Sequence, residues 1–233
     1  RELIEAGQVF TYEKSQKKTL KKPSLSVSEN TDVQVLDGPV NRYVSRGGLK
    51  LEGALEHLQI AVQDWKILDV GISTGGFTDC LLKKGAAQVV GVDVGHGQVS
   101  PVLLKNPKLT VLEGVNARTL SQESRVLEKK PESGFDLVVM DVSFISIVLI
   151  IPELQKLIRP QGLLLSLVKP QFEVGVDGLA KGGIVKDISL YAKVEERVRE
   201  VCSSQGMKVR DYFPSSIQGK DGNNEFFVLA EKS

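Results

Sequence analysis

The order of apolar runs along the chain predicts a doubly wound α/β sheet, parallel except for an antiparallel C-terminal strand and preceded by a small α+β module. Three observations predict it. Five strand-like apolar runs alternate with helical patterns from Lys66 onward, a glycine-rich turn follows the first of them, and the first 40 residues have a different, lysine-rich texture.

The five runs are Ile67-Leu68-Asp69-Val70, Val89-Val90-Gly91-Val92, Leu109-Thr110-Val111-Leu112, Asp136-Leu137-Val138-Val139-Met140 and Leu163-Leu164-Leu165-Ser166-Leu167-Val168. Runs this continuous fit parallel strands covered on both faces. The segments Thr78–Lys84, Pro101–Lys105, Ser121–Lys130 and Ile147–Ile158 are expected to supply the crossover helices. A helix over Ile188 to Ser204 follows, then strands over Met207–Tyr212 and Glu225–Ala230, with hairpin-type turn composition from Gly219 to Asn224.

Ahead of this domain, a short helix ends at Gly7, and Lys14, Lys17, Lys18, Lys21 and Lys22 are interleaved with Ser and Thr. Val33-Gln34-Val35-Leu36 alternates weakly as a strand, and Asp37-Gly38-Pro39 marks a turn. The length of 233 residues accommodates this division into a module over 1–40 and a larger domain over 41–233, with 41–50 as linker and start of the first helix.

A net charge of +1 excludes binding of a polyanion through bulk charge, so contact with nucleic acid must come from local clusters of Lys and Arg. Cys80 and Cys202 are far apart and in no ligand spacing, which argues against a disulfide framework and a zinc site and suits a reducing cytoplasm. No metal site is expected. The charged start, Arg1 to Glu5, has no apolar segment of the signal-peptide kind behind it. The longest apolar stretch, Leu137 to Ile151, contains Asp141 and ends at Pro152, too short and too polar for a membrane span. The chain begins without Met and inside a helical pattern, so further N-terminal sequence is expected to precede it.

The first strand runs into Asp69-Val70-Gly71-Ile72-Ser73-Thr74-Gly75-Gly76-Phe77, a strand, a glycine turn and a helix start. Glycines there let the backbone approach a nucleotide-like ligand, and Asp93, at the end of the second strand, is positioned to accept hydrogen bonds from ribose hydroxyls. A tight structural turn is the simpler alternative. Gly71-Ile72-Ser73-Thr74-Gly75 also matches the nucleophile elbow of α/β-hydrolases, but such an enzyme needs a histidine after both Ser and acid, and only His57 and His96 exist. A nicotinamide-binding turn would read G-x-G-x-x-G where this one reads G-x-x-x-G-G.

Four more polar residues stand where an active site above the sheet draws its groups: Lys50, Asp141 after the fourth strand, Lys169 after the fifth, and Glu225 at the start of the last. Charges beside apolar strands are costly unless paired, so Asp141 and Lys169 are expected to meet. The alternatives are a buried ion-pair network that only holds the domain together and, for Lys50, a lone solvated lysine.

The segments Tyr43-Val44-Ser45-Arg46-Gly47-Gly48-Leu49-Lys50-Leu51, Leu68 to Asp79, Asp141-Val142-Ser143-Phe144-Ile145-Ser146 and Leu167-Val168-Lys169-Pro170-Gln171-Phe172-Glu173 carry a family resemblance over nearly the whole chain. It resembles the TlyA, or haemolysin A, family, which joins an S4-type RNA-binding domain to an FtsJ-like ribose 2′-O-methyltransferase domain of Rossmann-like, class I fold. The resemblance implies a Lys-Asp-Lys-Glu tetrad of Lys50, Asp141, Lys169 and Glu225. It implies an S-adenosylmethionine site drawn from Asp69, Gly71, Ser73, Thr74, Gly75, Gly76, Phe77, Asp93, Asn116 and Asp141, with Asn116 facing the adenine. It implies ribosomal RNA or a ribosomal subunit as partner, cytidine as target, and no obligate protein partner. Residues Ile4 to Phe10 correspond to the end of an S4 helix and its following strand; the family's first S4 helix is absent from this sequence.

Such chemistry must deprotonate a ribose hydroxyl, since the sulfonium methyl is already activated. An amine whose pKa is lowered by burial and a neighbouring cation, and which is therefore free to take up a proton, serves as general base, a role typically worth about 10²–10⁴-fold. Lys169 is assigned that role, Asp141 and Glu225 orient the lysines, and Lys50 adds positive potential near the developing alkoxide. Lys14, Lys17, Lys18, Lys21 and Lys22, with Arg46, are expected to contact phosphates, although a solvated loop explains the lysines equally well. Two rival functions remain in view: a membrane-active haemolysin, which no amphipathic inserting segment supports, and a catalytically silent ribosome-assembly factor.

Overall fold

The computed structural model describes residues 4, 7, 9–13, 16–35, 42–219 and 222–233. Near the N-terminus, Gly7 donates its backbone N–H to the Ile4 carbonyl at 3.0 Å, closing a turn ahead of the first strand. Strands β1 (Val9–Glu13), β2 (Gln16–Thr19) and β3 (Val33–Val35) then form an antiparallel sheet in the order β2-β1-β3.

The second sheet has seven strands: β4 (Lys66–Val70), β5 (Gln88–Asp93), β6 (Leu109–Glu113), β7 (Phe135–Met140), β8 (Ile158–Val168), β9 (Met207–Pro214) and β10 (Phe226–Lys232). Their order is β6-β5-β4-β7-β8-β10-β9. β4 through β8 pair in parallel, whereas β10 is antiparallel to both β8 and β9. The chain winds outward from β4 in one direction and from β7 in the other, so a crevice opens above the adjacent carboxyl ends of these two strands.

Residues alternate between the faces of the sheet with the period of two that a strand imposes. Ile67, Val89, Leu137, Val139, Leu165 and Leu167 face α1 (Arg46–His57) and α2 (Gly76–Lys83), packing with Leu51, Leu55, Phe77 and Leu81. Leu68, Val90, Val138, Met140 and Leu164 face the other way. There they meet Ile151 and Leu154 of α4 (Ile151–Gln155) and Val194 and Val198 of α5 (Ser189–Ser204). A short α3 (Ser124–Lys129) lies between β6 and β7.

Three of the expected crossover helices are reduced, that over Ile147–Ile158 to a 3₁₀ turn, Ile147–Leu149, and the five residues of α4. Within Pro101–Lys105 only a 3₁₀ turn, Leu103–Lys105, forms; Pro101 and Pro107 bracket it and the connection is too short for regular helix. Within Ser121–Lys130 a 3₁₀ segment, Ala117–Gln122, precedes the single turn and a half of α3. β8 starts earlier than Leu163, running through Pro160 to Ile158 with a register irregularity against β7. Glu225 lies just before β10 rather than within it.

The segment leading into α1 is tied down. Arg42 donates to both Glu52 carboxylate oxygens at 2.8 Å, and the Tyr43 hydroxyl donates to Glu52 Oε1 at 2.8 Å. The Val44 N–H and Lys83 Nζ both donate to Asp79 Oδ2 of α2, at 2.9 and 3.0 Å. Partial burial by itself would raise the Glu52 carboxyl, but the bonds from Tyr43 and Arg42 outweigh it and hold the group below its ordinary range. The expected boundary between residues 40 and 41 lies outside the described residues, as do Lys14 and Leu36.

Candidate active site

The glycine turn after β4 forms the floor of the crevice. Gly71 and Ile72 donate their backbone N–H groups to the Val92 carbonyl at 2.9 and 3.0 Å, and Gly75 closes the turn onto Ile72 at 2.7 Å. Gly71 has φ +84°, and a Cβ there would stand 2.5 Å from the Asp141 carbonyl oxygen, so a side chain is excluded both by conformation and by contact. At Gly76, the first residue of α2, a Cβ would meet Ser45 Oγ at 2.1 Å. The ends of β4, β7 and the segment before α1 are thereby brought together around one turn.

Asp93 accepts from the Ser73 N–H through Oδ2 and from the Gly95 N–H through Oδ1, both at 2.8 Å. Its carboxylate therefore braces the turn while staying partly exposed. Asp69 is buried, takes a hydrogen bond from Thr78 Oγ1 at 2.6 Å, and leaves Oδ1 without a protein partner. Burial pushes its carboxyl up to about 7, against the opposing pull of the Thr78 bond. Asn116 is exposed after β6, with Oδ1 accepting the Arg118 N–H at 3.0 Å as a cap.

Lys50, Asp141, Lys169 and Glu225 converge on one cavity of about 920 Å³, which Gly71, Ile72, Ser73, Thr74, Gly76 and Phe77 also line. Asp69, Gly75, Asp93 and Asn116 stand outside its lining. The four tetrad residues form two ion pairs. Lys169 Nζ is 2.6 Å from Asp141 Oδ1, off the angle of a hydrogen bond, and donates to Ser143 Oγ at 2.9 Å. Lys50 Nζ contacts Glu225 Oε2, with both side chains nearly withdrawn from water. The alternative of a solvated Lys50 is thus removed: it lies on the buried face of α1, a full turn in, where Glu225 compensates its charge.

Residues not foreseen complete the rim. Phe144 is 91% exposed, has φ +63°, and packs its ring 5.1 Å from that of Phe172. Both rings line the cavity. Glu173, buried, accepts from Ser146 Oγ at 2.5 Å and from the Ile147 N–H at 2.8 Å, clamping the loop that carries Ser143 and Phe144. Burial raises its carboxyl above the ordinary range. An aromatic residue shortly after the end of an apolar strand was the available signal for Phe144; the clamp by Glu173 had none.

Of the lysines expected at RNA, Lys17 and Lys18 lie on successive positions of β2 and so point to opposite faces of the small sheet. Lys17 Nζ sits 4.1 Å above the Phe10 ring, and Lys21 and Lys22 are exposed. Arg46 lines the cavity and donates to the Gln218 carbonyl at 3.1 Å.

Comparison with known proteins agrees with this geometry. The family model described as FtsJ-like methyltransferase matches residues 43–232. The 16S/23S rRNA (cytidine-2′-O)-methyltransferase TlyA of Mycobacterium tuberculosis is 42% identical over 212 residues, covering 89% of this chain and 75% of that protein. Hemolysin A of Brachyspira hyodysenteriae is 38% identical over 187 residues, covering 80% of this chain and 76% of its own length. A solved structure described as a hemolysin of Streptococcus thermophilus superposes with a TM-score of 0.80 at 36% identity, covering 99% of this chain and 80% of that one. With its glycine turn, its sheet order and its two cation–carboxylate pairs all inside the matched span, the chain belongs to the FtsJ-like methyltransferase family.

Proposed function

We propose that this protein transfers a methyl group from S-adenosylmethionine to a ribose 2′-hydroxyl of ribosomal RNA, with cytidine as the target nucleoside. One observation carries the reading: two lysines and two carboxylates drawn from four separate parts of the chain line the same cavity as the glycine turn.

The residues present fit the cofactor. The floor of the cavity is bare backbone at Gly71 and Gly76, where any Cβ would clash, and the cationic donor would find Asp141 on the lining, with Asp93 and the buried Asp69 behind the turn. Ser73, Thr74, Gly75 and Phe77 would complete the cradle, with Asn116 toward the adenine. When bound, S-adenosylmethionine supplies a sulfonium-activated methyl group.

The chain's own residues have two tasks, to position a sugar oxygen and to take its proton. Lys169 Nζ, in its neutral form after its ammonium proton has passed to water, is the acceptor of that proton, and Asp141 and Ser143 fix its position. Lys50, held by Glu225, supplies positive potential where negative charge develops on the oxygen. Alignment is the larger contribution, since displacements of about 1 Å cost roughly 10²-fold. The aromatic rim of Phe144 and Phe172 offers a flat surface for an unstacked base. Lys17, Lys18, Lys21, Lys22 and Arg46 would hold the RNA backbone, in a module over 1–40 of S4 type.

The competing reading, a membrane-inserting haemolysin, has less support: among the described residues no helix is long and apolar enough to cross a membrane. The test is transfer of a tritiated methyl group to ribosomal RNA by wild type and by Lys169→Ala. Loss of about 10²-fold or more in the variant is expected; equal incorporation by both overturns the mechanism.

A further inference from the structure

One wall of the cavity belongs to neither the glycine turn nor the tetrad. It consists of Leu179, Gly182 and Gly183, from the segment between β8 and α5. This segment folds back on itself as a small flap. Leu179 bridges Val185, the Ala180 N–H donates to the Ile184 carbonyl at 2.7 Å, and the Lys186 N–H donates to the Gly178 carbonyl at 3.0 Å. Its tip is Lys181-Gly182, both exposed, and positive φ values of +89° and +77° at Gly182 and Gly183 turn the chain there.

A buried side chain fastens the flap. Asn223, 2% exposed, donates from Nδ2 to the Gly183 carbonyl at 3.0 Å and accepts the Val185 N–H through Oδ1 at 3.1 Å. Its own carbonyl accepts the Gly219 N–H at 3.0 Å, and Gly219 lies so close to Glu225 that a Cβ would stand 2.7 Å from Oε1. Asn223 is two positions from Glu225, so the flap and the buried Lys50–Glu225 pair hang from one short stretch of chain.

The topology separates the flap from the cofactor cradle. The cradle tops β4, whereas the flap is fastened where β8 and β10 meet at the site, beyond β7 in the sheet order. Displacement at a methyl carbon requires the attacking oxygen to approach opposite the departing sulfur, so the RNA strand must lie on the side of the cavity that the flap borders. Two glycines without side chains and an exposed lysine at the tip are suited to close approach by a sugar–phosphate backbone.

We propose that residues 179–185 form a contact surface for the sugar–phosphate backbone of the RNA beside the target nucleotide, and that Asn223 is the positioning residue that holds this surface in place. The proposal rests on the methyltransferase reading above and adds to it the path of the substrate strand.

The experiment measures, for the full chain, kcat and KM for ribosomal RNA, direct RNA affinity by filter binding over a range of salt, and S-adenosylmethionine affinity by calorimetry. Asn223→Ala is expected to raise KM and the RNA dissociation constant about tenfold while cofactor affinity stays unchanged. Lys181→Glu, on an exposed tip that folding does not need, is expected to weaken RNA binding and reduce the salt slope by about 0.7, the value for one phosphate contact on a single strand. Unchanged RNA affinity in Lys181→Glu overturns the proposal, even should Asn223→Ala fail to fold. A parallel loss of cofactor affinity in Asn223→Ala reduces Asn223 to a structural role and equally overturns it. Wild type that transfers no methyl group, with RNA binding still weakened in both variants, defeats the methyltransferase reading and leaves the flap standing.

Discussion

Lys50 and Glu225, 175 positions apart in the chain, meet in an ion pair whose side chains keep only 11% and 4% of their exposure. Neither charge has enough water around it to stand alone. Breaking such a pair from one side leaves the other charge buried and uncompensated, typically at about 3–5 kcal/mol, whereas replacing both partners by apolar groups costs far less. Lys50→Met is therefore expected to be more destabilised in urea unfolding than Lys50→Met/Glu225→Leu, with both inactive. A double variant at least as unstable as the single one would show that the pair is not what holds α1 to the strand end.

The glycine floor bears on cofactor binding. Gly71→Ala adds a methyl group 2.5 Å from the Asp141 carbonyl and asks an alanine to adopt φ +84°. Overpacking of this kind costs about 1–3 kcal/mol, and here it displaces the Asp141 end of the site. S-adenosylmethionine affinity measured by calorimetry is expected to fall by about tenfold or more, while the rest of the sheet stays folded by circular dichroism. Wild-type affinity in the variant would refute the cradle.

Asp69 predicts a pH dependence of stability. Its ordinary carboxyl value of 3.8 rises to about 7 in the folded chain because the group is buried, with Asp141 and Asp93 adding like-charge repulsion. The native state therefore binds the proton across a window in which the unfolded chain has lost it. The resulting stabilisation is complete below the ordinary value and declines as pH rises through about 7. Asp69→Asn keeps an acceptor for Thr78 and removes the titration. It is expected to melt above wild type at pH 8 by about 4 °C or more, with the difference shrinking toward pH 5. Identical pH profiles for the two proteins would exclude a perturbed Asp69.

Phe144 supplies a prediction in which stability and function separate. At 91% exposure it contributes little to the core, yet it lines the cavity beside Phe172. Stacking of a base on an aromatic ring is worth about 1–3 kcal/mol. Phe144→Ala is thus expected to raise KM for RNA about tenfold, leaving the melting temperature and the cofactor affinity unchanged. A rise in neither KM nor RNA dissociation constant would remove the ring from substrate binding.

Features written in local pattern were legible in the amino-acid order. Strand faces repeat every two residues and buried strands read as apolar runs, so β4, β5, β6 and β7 could be placed within a residue or two. The glycine turn could be read because its conformation depends on residues adjacent in the chain. Asp141 and Lys169 could be read because a charge that closes an apolar run must sit at the strand end, where it can find water or a partner. The crossover segments were less legible: whether Leu103–Lys105 becomes helix depends on the span between neighbouring strands, which propensity does not encode.

That Asp141 and Lys169 meet was expected from the sequence, but the pairing of Lys50 with Glu225 was settled by the folded chain, because pairing is a matter of distance in space. Lys50 has the pattern of an ordinary surface lysine until α1 turns it inward against a carboxylate arriving from the far end of the chain. The same holds for Asn223, a turn residue in sequence and a buried fastening in the fold. Local pattern sets where strands and turns lie; long-range packing sets which side chains lose water, and the loss of water gives these charges and amides their energetic consequence.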